Sequence, residues 1–131
     1  MDLTQIIYAS RPFGFDASVL SNLLVDARRC NARDGITGAL VCRRDIYLQY
    51  LEGSDRAVRN TLERIRRDDR HVELVVHHDA PSHTRLFSDW AMLHDPAHSW
   101  TWSEAEVADG ALDRALPADF LNVFLGIAQR Q

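Results

Sequence analysis

"DIYLQYLEG", residues 45–53, decides how this chain folds. Apolar and aromatic residues fill it and a glycine ends it, the signature of a strand. Successive strand residues point to opposite faces. Tyr47, Gln49 and Leu51 therefore share one face, and Leu48 and Tyr50 the other. Both faces read as buried. Gln49 is then a primary amide inside a core, where lack of partners costs on the order of a few kcal/mol.

Outward from this strand, "RRD" (43–45) is a turn and "ITGALVC" (36–42) the other arm of a hairpin. Gly35 stops the helix before it. That helix starts at Asp16, a capping residue, and runs to about Arg29 or Asn31. Val19, Leu20, Leu23, Leu24 and Ala27 form its apolar stripe, and four residues beyond Ala27 the stripe reaches Asn31. A second amide thus faces the core. "LTQIIYAS" (3–10) reads as the first strand, with Tyr8 in phase with Ile6.

After the central strand, Ser54 caps a helix over about 55–67, with Val58, Leu62 and Ile65 inward. "VELVVHH" (72–78) and "SDWAMLH" (88–94) read as two further strands. The order β-α-β-β-α-β-β is an α+β, ferredoxin-like pattern with both helices on one sheet face. Residues 95–131 form a linker and a C-terminal helical extension. Pro117 and Asp119 suit a helix start, and Phe120, Val123, Phe124 and Ile127 share one apolar face. Leu48 and Tyr50 need a cover on the sheet's second face. This helix, a partner subunit, or both would supply it.

The 131 residues suit one domain, and a 46% hydrophobic fraction suits a real core. A net charge of −4 argues against nucleic acid or an anionic membrane as partner. No apolar run approaches the ~20 residues of a membrane span. The N-terminus lacks signal-peptide character. Two cysteines, Cys30 and Cys42, form neither a metal spacing nor a disulfide framework, so a reducing, cytoplasmic location is expected.

Candidate chemistry is sparse. The six histidines read as a scattered, solvated set with no metal signature, and the adjacent His77 and His78 should face opposite ways on a strand. "DGITG" (34–38) lies between a helix and a strand, the wrong order for a dinucleotide loop. "RIRRDDR" (64–70) reads from spacing as a solvated helix end, or else as a phosphate or ribityl contact. Cys30 and Ser10 are nominal nucleophiles with no base partner visible in the sequence. What remains is a set of interior polar groups, Tyr8, Asn31 and Gln49. Together they suggest a pocket for a flat ligand with several donors and acceptors.

At these residues the chain resembles a known family. "IIYASR" (6–11), "CNARDGITGALV" (30–41), "YLQYLEG" (47–53), "RIRRDDRH" (64–71) and "LFSDWAML" (86–93) follow the order and spacing of the BLUF domain, a blue-light sensor using flavin. The resemblance covers about residues 1–94. It implies FAD held between the two helices of the ferredoxin-like core. It also implies that Tyr8, Asn31 and Gln49 are the light-active tyrosine, the flavin-binding asparagine and the switching glutamine. Arg64, Asp68 and Arg70 become flavin contacts, with Ile65 beside the ring. Trp90 and Met92 match the tryptophan and methionine of the last strand and would relay the signal. Cys30 stands where relatives often carry Asn or His, and a thiol is a poor hydrogen-bonding substitute.

The implied function is photochemical rather than enzymatic. Tyr8 gives an electron and a proton to excited flavin, and Gln49 ends rotated or tautomerised. A flavin carbonyl gains a hydrogen bond and the absorption moves to the red. With no enzymatic domain recognisable after Met92, a short sensor is expected, passing its signal through the tail to an unidentified protein partner or within a homo-oligomer. A ferredoxin-like module binding a non-flavin ligand, or merely dimerising, is the alternative. An acylphosphatase-type hydrolase is a distant third.

Overall fold

In the computed structural model, residues 2–14, 16–95 and 102–130 are described. Strand β1 (Leu3–Pro12) leads through helix α1 (Ala17–Asp34) to the hairpin β2 (Thr37–Arg43) and β3 (Ile46–Gly53). Helix α2 (Asp55–Arg66) and strands β4 (His71–Ser82) and β5 (Leu93–Asp95) follow. The sheet order is β4-β1-β3-β2-β5, with β5 parallel to β2 and the other pairs antiparallel. This is the expected ferredoxin-like α+β core with one added edge strand.

Local chemistry explains the element ends. Asp16 accepts from the Val19 backbone N–H at 2.8 Å and starts α1. Gly35 closes the helix at φ 70°, where only glycine is unstrained. In the same "DGITG" run, a Cβ on Gly38 would lie 2.0 Å from the Tyr50 carbonyl oxygen, so the β2–β3 approach requires glycine there. The run is a helix stop and a strand start, as its position between the two elements indicated.

The central strand β3 is buried at every position. On one face, Ile6, Tyr8, Leu40, Cys42, Tyr47 and Leu51 meet Leu24, Val58 and Leu62 of the two helices. On the other, Leu48 and Tyr50 pack with Ile7, Val41 and Phe87 against Phe120, Val123, Phe124 and Ile127. These last four lie on α5 (Pro117–Gln129), so the C-terminal helix covers the second face. It starts as expected, with Pro117 at the first position and Asp119 Oδ2 accepting from Leu116 N at 2.9 Å.

The structure corrects several expectations. "SDWAMLH" is not a strand throughout: β5 covers only Leu93–Asp95, and residues 88–92 are irregular. Side-chain and backbone bonds from the core hold that segment in place of a ladder, as described below. The linker contains two short helices, α3 (Glu104–Ala108) and α4 (Ala111–Arg114). Two bulges break the period of β4. One surrounds Glu73, a non-glycine residue at φ 57°, and the other lies opposite Ile7 and Tyr8. His77 and His78 consequently both serve the α5 side. His77 stacks on Phe120 at 4.2 Å, and His78 bonds Gln5, which in turn donates to the Tyr50 hydroxyl. His71, His77 and His78 are thus not solvated, whereas His83 is, with its side chain 86% exposed, and His98 lies outside the described residues.

Glu52 is a fully buried carboxyl group that ties the sheet to the 86–92 segment. It accepts from Thr37 Oγ1 at 2.7 Å, the Tyr50 hydroxyl at 3.1 Å, Leu86 N at 2.7 Å and Phe87 N at 2.8 Å. Each buried donor left unpaired costs about 1–3 kcal/mol. Glu52→Leu should therefore lower stability by at least about 3 kcal/mol, while Glu52→Gln, which keeps part of the acceptor set, should lose less. Denaturant unfolding midpoints check this; equal midpoints for Glu52→Leu and the parent chain would refute it.

Candidate functional site

The polar residues singled out from the sequence meet in one cleft between α1 and α2. Tyr8, Cys30, Asn31, Gln49, Arg64, Ile65, Asp68 and Arg70 all line a cavity of about 220 Å³. The strands supply its floor through Tyr8, Leu40, Tyr47 and Gln49. Helix α1 supplies Leu23, Ala27 and Asn31, and the end of α2 supplies Arg64 and Ile65.

The floor is a hydrogen-bonded chain. The Tyr8 hydroxyl donates to Gln49 Oε1, across the β1–β3 pair that sets the two residues opposite each other. Gln49 Nε2 donates to Met92 Sδ at 3.5 Å. Thioether sulfur is a weak acceptor, so this second bond is readily exchanged for a better one. Burial pushes the Tyr8 phenol well above its ordinary pKa, which keeps it protonated. Asn31 Nδ2 donates to the Ala91 carbonyl at 2.9 Å, and Arg28 Nε to the Met92 carbonyl at 3.1 Å. The 88–92 segment is thereby held by Asn31, which lines the cleft, and by Arg28 from the same helix.

The mouth is charged. Arg70 Nη1 bonds Asp26 at 3.0 Å, and its Nε bonds Asp68 at 3.0 Å. The guanidinium holds Asp68 below the usual carboxylate range. Arg64 stands 3.6 Å from Asp34 with its side chain nearly half exposed. Cys30 is half-buried on the wall. Cys42, deeper in the core, has its thiol pushed up to about 12 by burial and is inert as a nucleophile.

Trp90 and Met92 part company here. Met92 is buried against Gln49, whereas Trp90 is 41% exposed and does not line the cleft. Trp90 sits in the irregular segment rather than on β5, so strand alternation does not aim it inward. The structure also adds residues that the sequence reading did not place, Tyr47, Asp26 and His71. Ser10 does have a base beside it: His71 Nδ1 lies 2.7 Å from Ser10 Oγ, and His71 Nε2 lies 2.8 Å from the Ile65 carbonyl. That carbonyl fixes the proton on Nε2, and Ser10 is buried, so the pair braces the floor. The Glu73 bulge turned His71 inward, and a strict two-residue period could not show it.

Apolar side chains from Leu23, Ala27 and Ile65, the amides of Asn31 and Gln49, and Arg64 and Arg70 line this cleft together, a set that suits a flat heteroaromatic ring bearing a phosphate-containing tail. Among the described residues no group of His, Cys, Asp and Glu is placed to hold a metal ion. No helix among them is long and apolar enough to cross a membrane.

Comparison with known proteins agrees with this chemistry. Residues 3–93 match the family model described as BLUF, sensors of blue light using FAD. The chain is 38% identical over 91 residues to the photoactivated adenylate cyclase subunit beta of Euglena gracilis, covering 69% of this chain and 10% of that protein. The Euglena longa subunit is 36% identical over the same length. The chain thus spans about a tenth of these relatives. Among solved structures, BlrB, a BLUF protein in its dark state, superposes with a TM-score of 0.80 at 25% identity, covering 99% of this chain and 98% of that one. The BLUF domain of BlrP1 gives 0.69 at 28% identity, covering 87% and 74%.

Proposed function

From the premise that this chain belongs to the BLUF family, whose cofactor is FAD, we propose that the α1–α2 cleft holds the flavin noncovalently and that Tyr8 and Gln49 form its light switch. The observation that carries this reading is the bond from the Tyr8 hydroxyl to Gln49 Oε1 at the cleft floor. Asn31, Gln49 and Cys30 would meet the polar edge of the ring, with Ile65 against its face. Arg64, Asp68 and Arg70 would meet the ribityl and phosphate tail.

Bound FAD supplies blue-light absorption and, once excited, a strong one-electron oxidant. Tyr8 would give up an electron while its hydroxyl proton leaves along the bond to Gln49, and both would return to Tyr8 as Gln49 is left rotated or tautomerised. In that arrangement Gln49 would offer a donor to the polar edge of the ring, and the added hydrogen bond would move absorption to the red. The hold of Gln49 on Met92 changes in the same event, which biases the 88–92 segment. Phe87 begins that stretch and packs with Phe124 at 6.5 Å, so the bias reaches the α5 side of the sheet.

In this account the chain is a sensor without turnover of its own, and its output passes to another protein surface, a second copy or a separate partner. A cytoplasmic setting fits its two unpaired cysteines. Denaturing the purified yellow protein should release the chromophore, and chromatography should identify it as FAD. A colourless protein, expressed with flavin supplied, would refute the proposal.

A further inference from the structure

Tyr47 is a second phenol on the wall of the same cleft. It precedes Gln49 by two residues on β3, so both side chains leave the same sheet face. Tyr47 is 2% exposed, as shielded from water as Tyr8 at 4%. Both rings flank His71, Tyr8 at 6.2 Å and Tyr47 at 6.4 Å between centroids. Burial pushes the Tyr47 phenol up to about 12, so it stays neutral at working pH. Of the two tyrosines, Tyr8 is the one that donates to Gln49 Oε1.

A phenol at this place sets an easily oxidised ring on the wall of the cleft, beside the site where the excited flavin would sit. The inference rests on FAD occupying the cleft as proposed above. We infer that Tyr47 is a second electron donor to the photoexcited flavin, competing with Tyr8 along a path that dissipates the light.

The step balances without chemistry. One electron leaves the Tyr47 phenol for the excited flavin, oxidising the ring, and the same electron returns and restores it. No bond forms or breaks, and the flavin ends as it began. Because no proton crosses to Gln49, the amide does not reorganise and no red-shifted state results. Each photon taken by this route is lost to signalling.

The test uses four flavin-loaded proteins: the parent chain, Tyr8→Phe, Tyr47→Phe and the double variant. Flavin content, fluorescence lifetime and yield of the red-shifted state are read on the same samples. Tyr8→Phe should lose the red shift yet keep a short lifetime, because Tyr47 still quenches. The double variant should fluoresce with a lifetime several-fold longer. Tyr47→Phe alone should raise the yield of the red-shifted state. The inference fails if Tyr8→Phe already has the lifetime of the double variant, or if Tyr47→Phe matches the parent in lifetime and yield. It fails equally if the double variant stays quenched and Trp90→Phe relieves it. A colourless protein would overturn the flavin assignment and this inference together, whereas a yellow protein with any of those lifetimes overturns this inference alone.

Discussion

Gln49→Leu should bind flavin and show no light-induced red shift at all. Leucine keeps most of the side-chain volume in a position that is 4% exposed, so the cleft should persist. It removes both the acceptor for Tyr8 and the donor to Met92. The Tyr8 hydroxyl is left without its partner, at a stability cost of about 1–3 kcal/mol, which a folded domain can absorb. Tyr8→Phe should give the same spectral silence from the other end of the bond, since the ring stays and the proton source goes. Flavin occupancy and difference spectra after blue light are the measurements. A full, reversible shift in either variant would remove that residue from the switch.

Phe124→Asp should fail to fold cooperatively. The ring is fully buried, 5.5 Å from Tyr50 and 6.5 Å from Phe87. Removing a buried phenylalanine costs about 3–5 kcal/mol. Burying an unpaired carboxylate adds more, and the sum rivals the roughly 5–15 kcal/mol that holds a domain together. Phe124→Leu should unfold cooperatively with a lower midpoint. An aspartate variant that melts like the parent chain would mean that α5 does not cover the sheet in solution. The apolar stripe of α5 is thus part of the core and is not free to meet a partner.

The sequence made the core legible because its elements carry strong local signals. Asp16, Gly35, Ser54 and Pro117 each mark a helix end by a mechanism that needs no tertiary context, and each does so in the structure. The face assignment within β3 also held, since strand alternation is undisturbed there. Alternation failed where bulges intervene. Glu73 at φ 57° shifts the phase of β4, so His71 turns into the cleft floor. The 88–92 segment looked like a strand because it is apolar, but its bonds go to Asn31, Arg28 and Gly38. Contacts that distant in sequence leave no local pattern. Helix α3 did leave one: Ser103 and Glu106 form a reciprocal capping box that the sequence displays as S-E-A-E. Among the site residues, Tyr8, Asn31 and Gln49 stood out as polar groups at core positions. Tyr47 did not, because a tyrosine in a core strand is ordinary.

Light should reorganise the hydrogen bonds around Gln49. The absorption spectrum of the purified yellow protein before blue light, immediately after, and during dark recovery reads that change. A small red shift of the flavin bands should appear and reverse completely in the dark. Flavin bands that do not move under illumination, or that bleach without recovery, would refute a Gln49 switch.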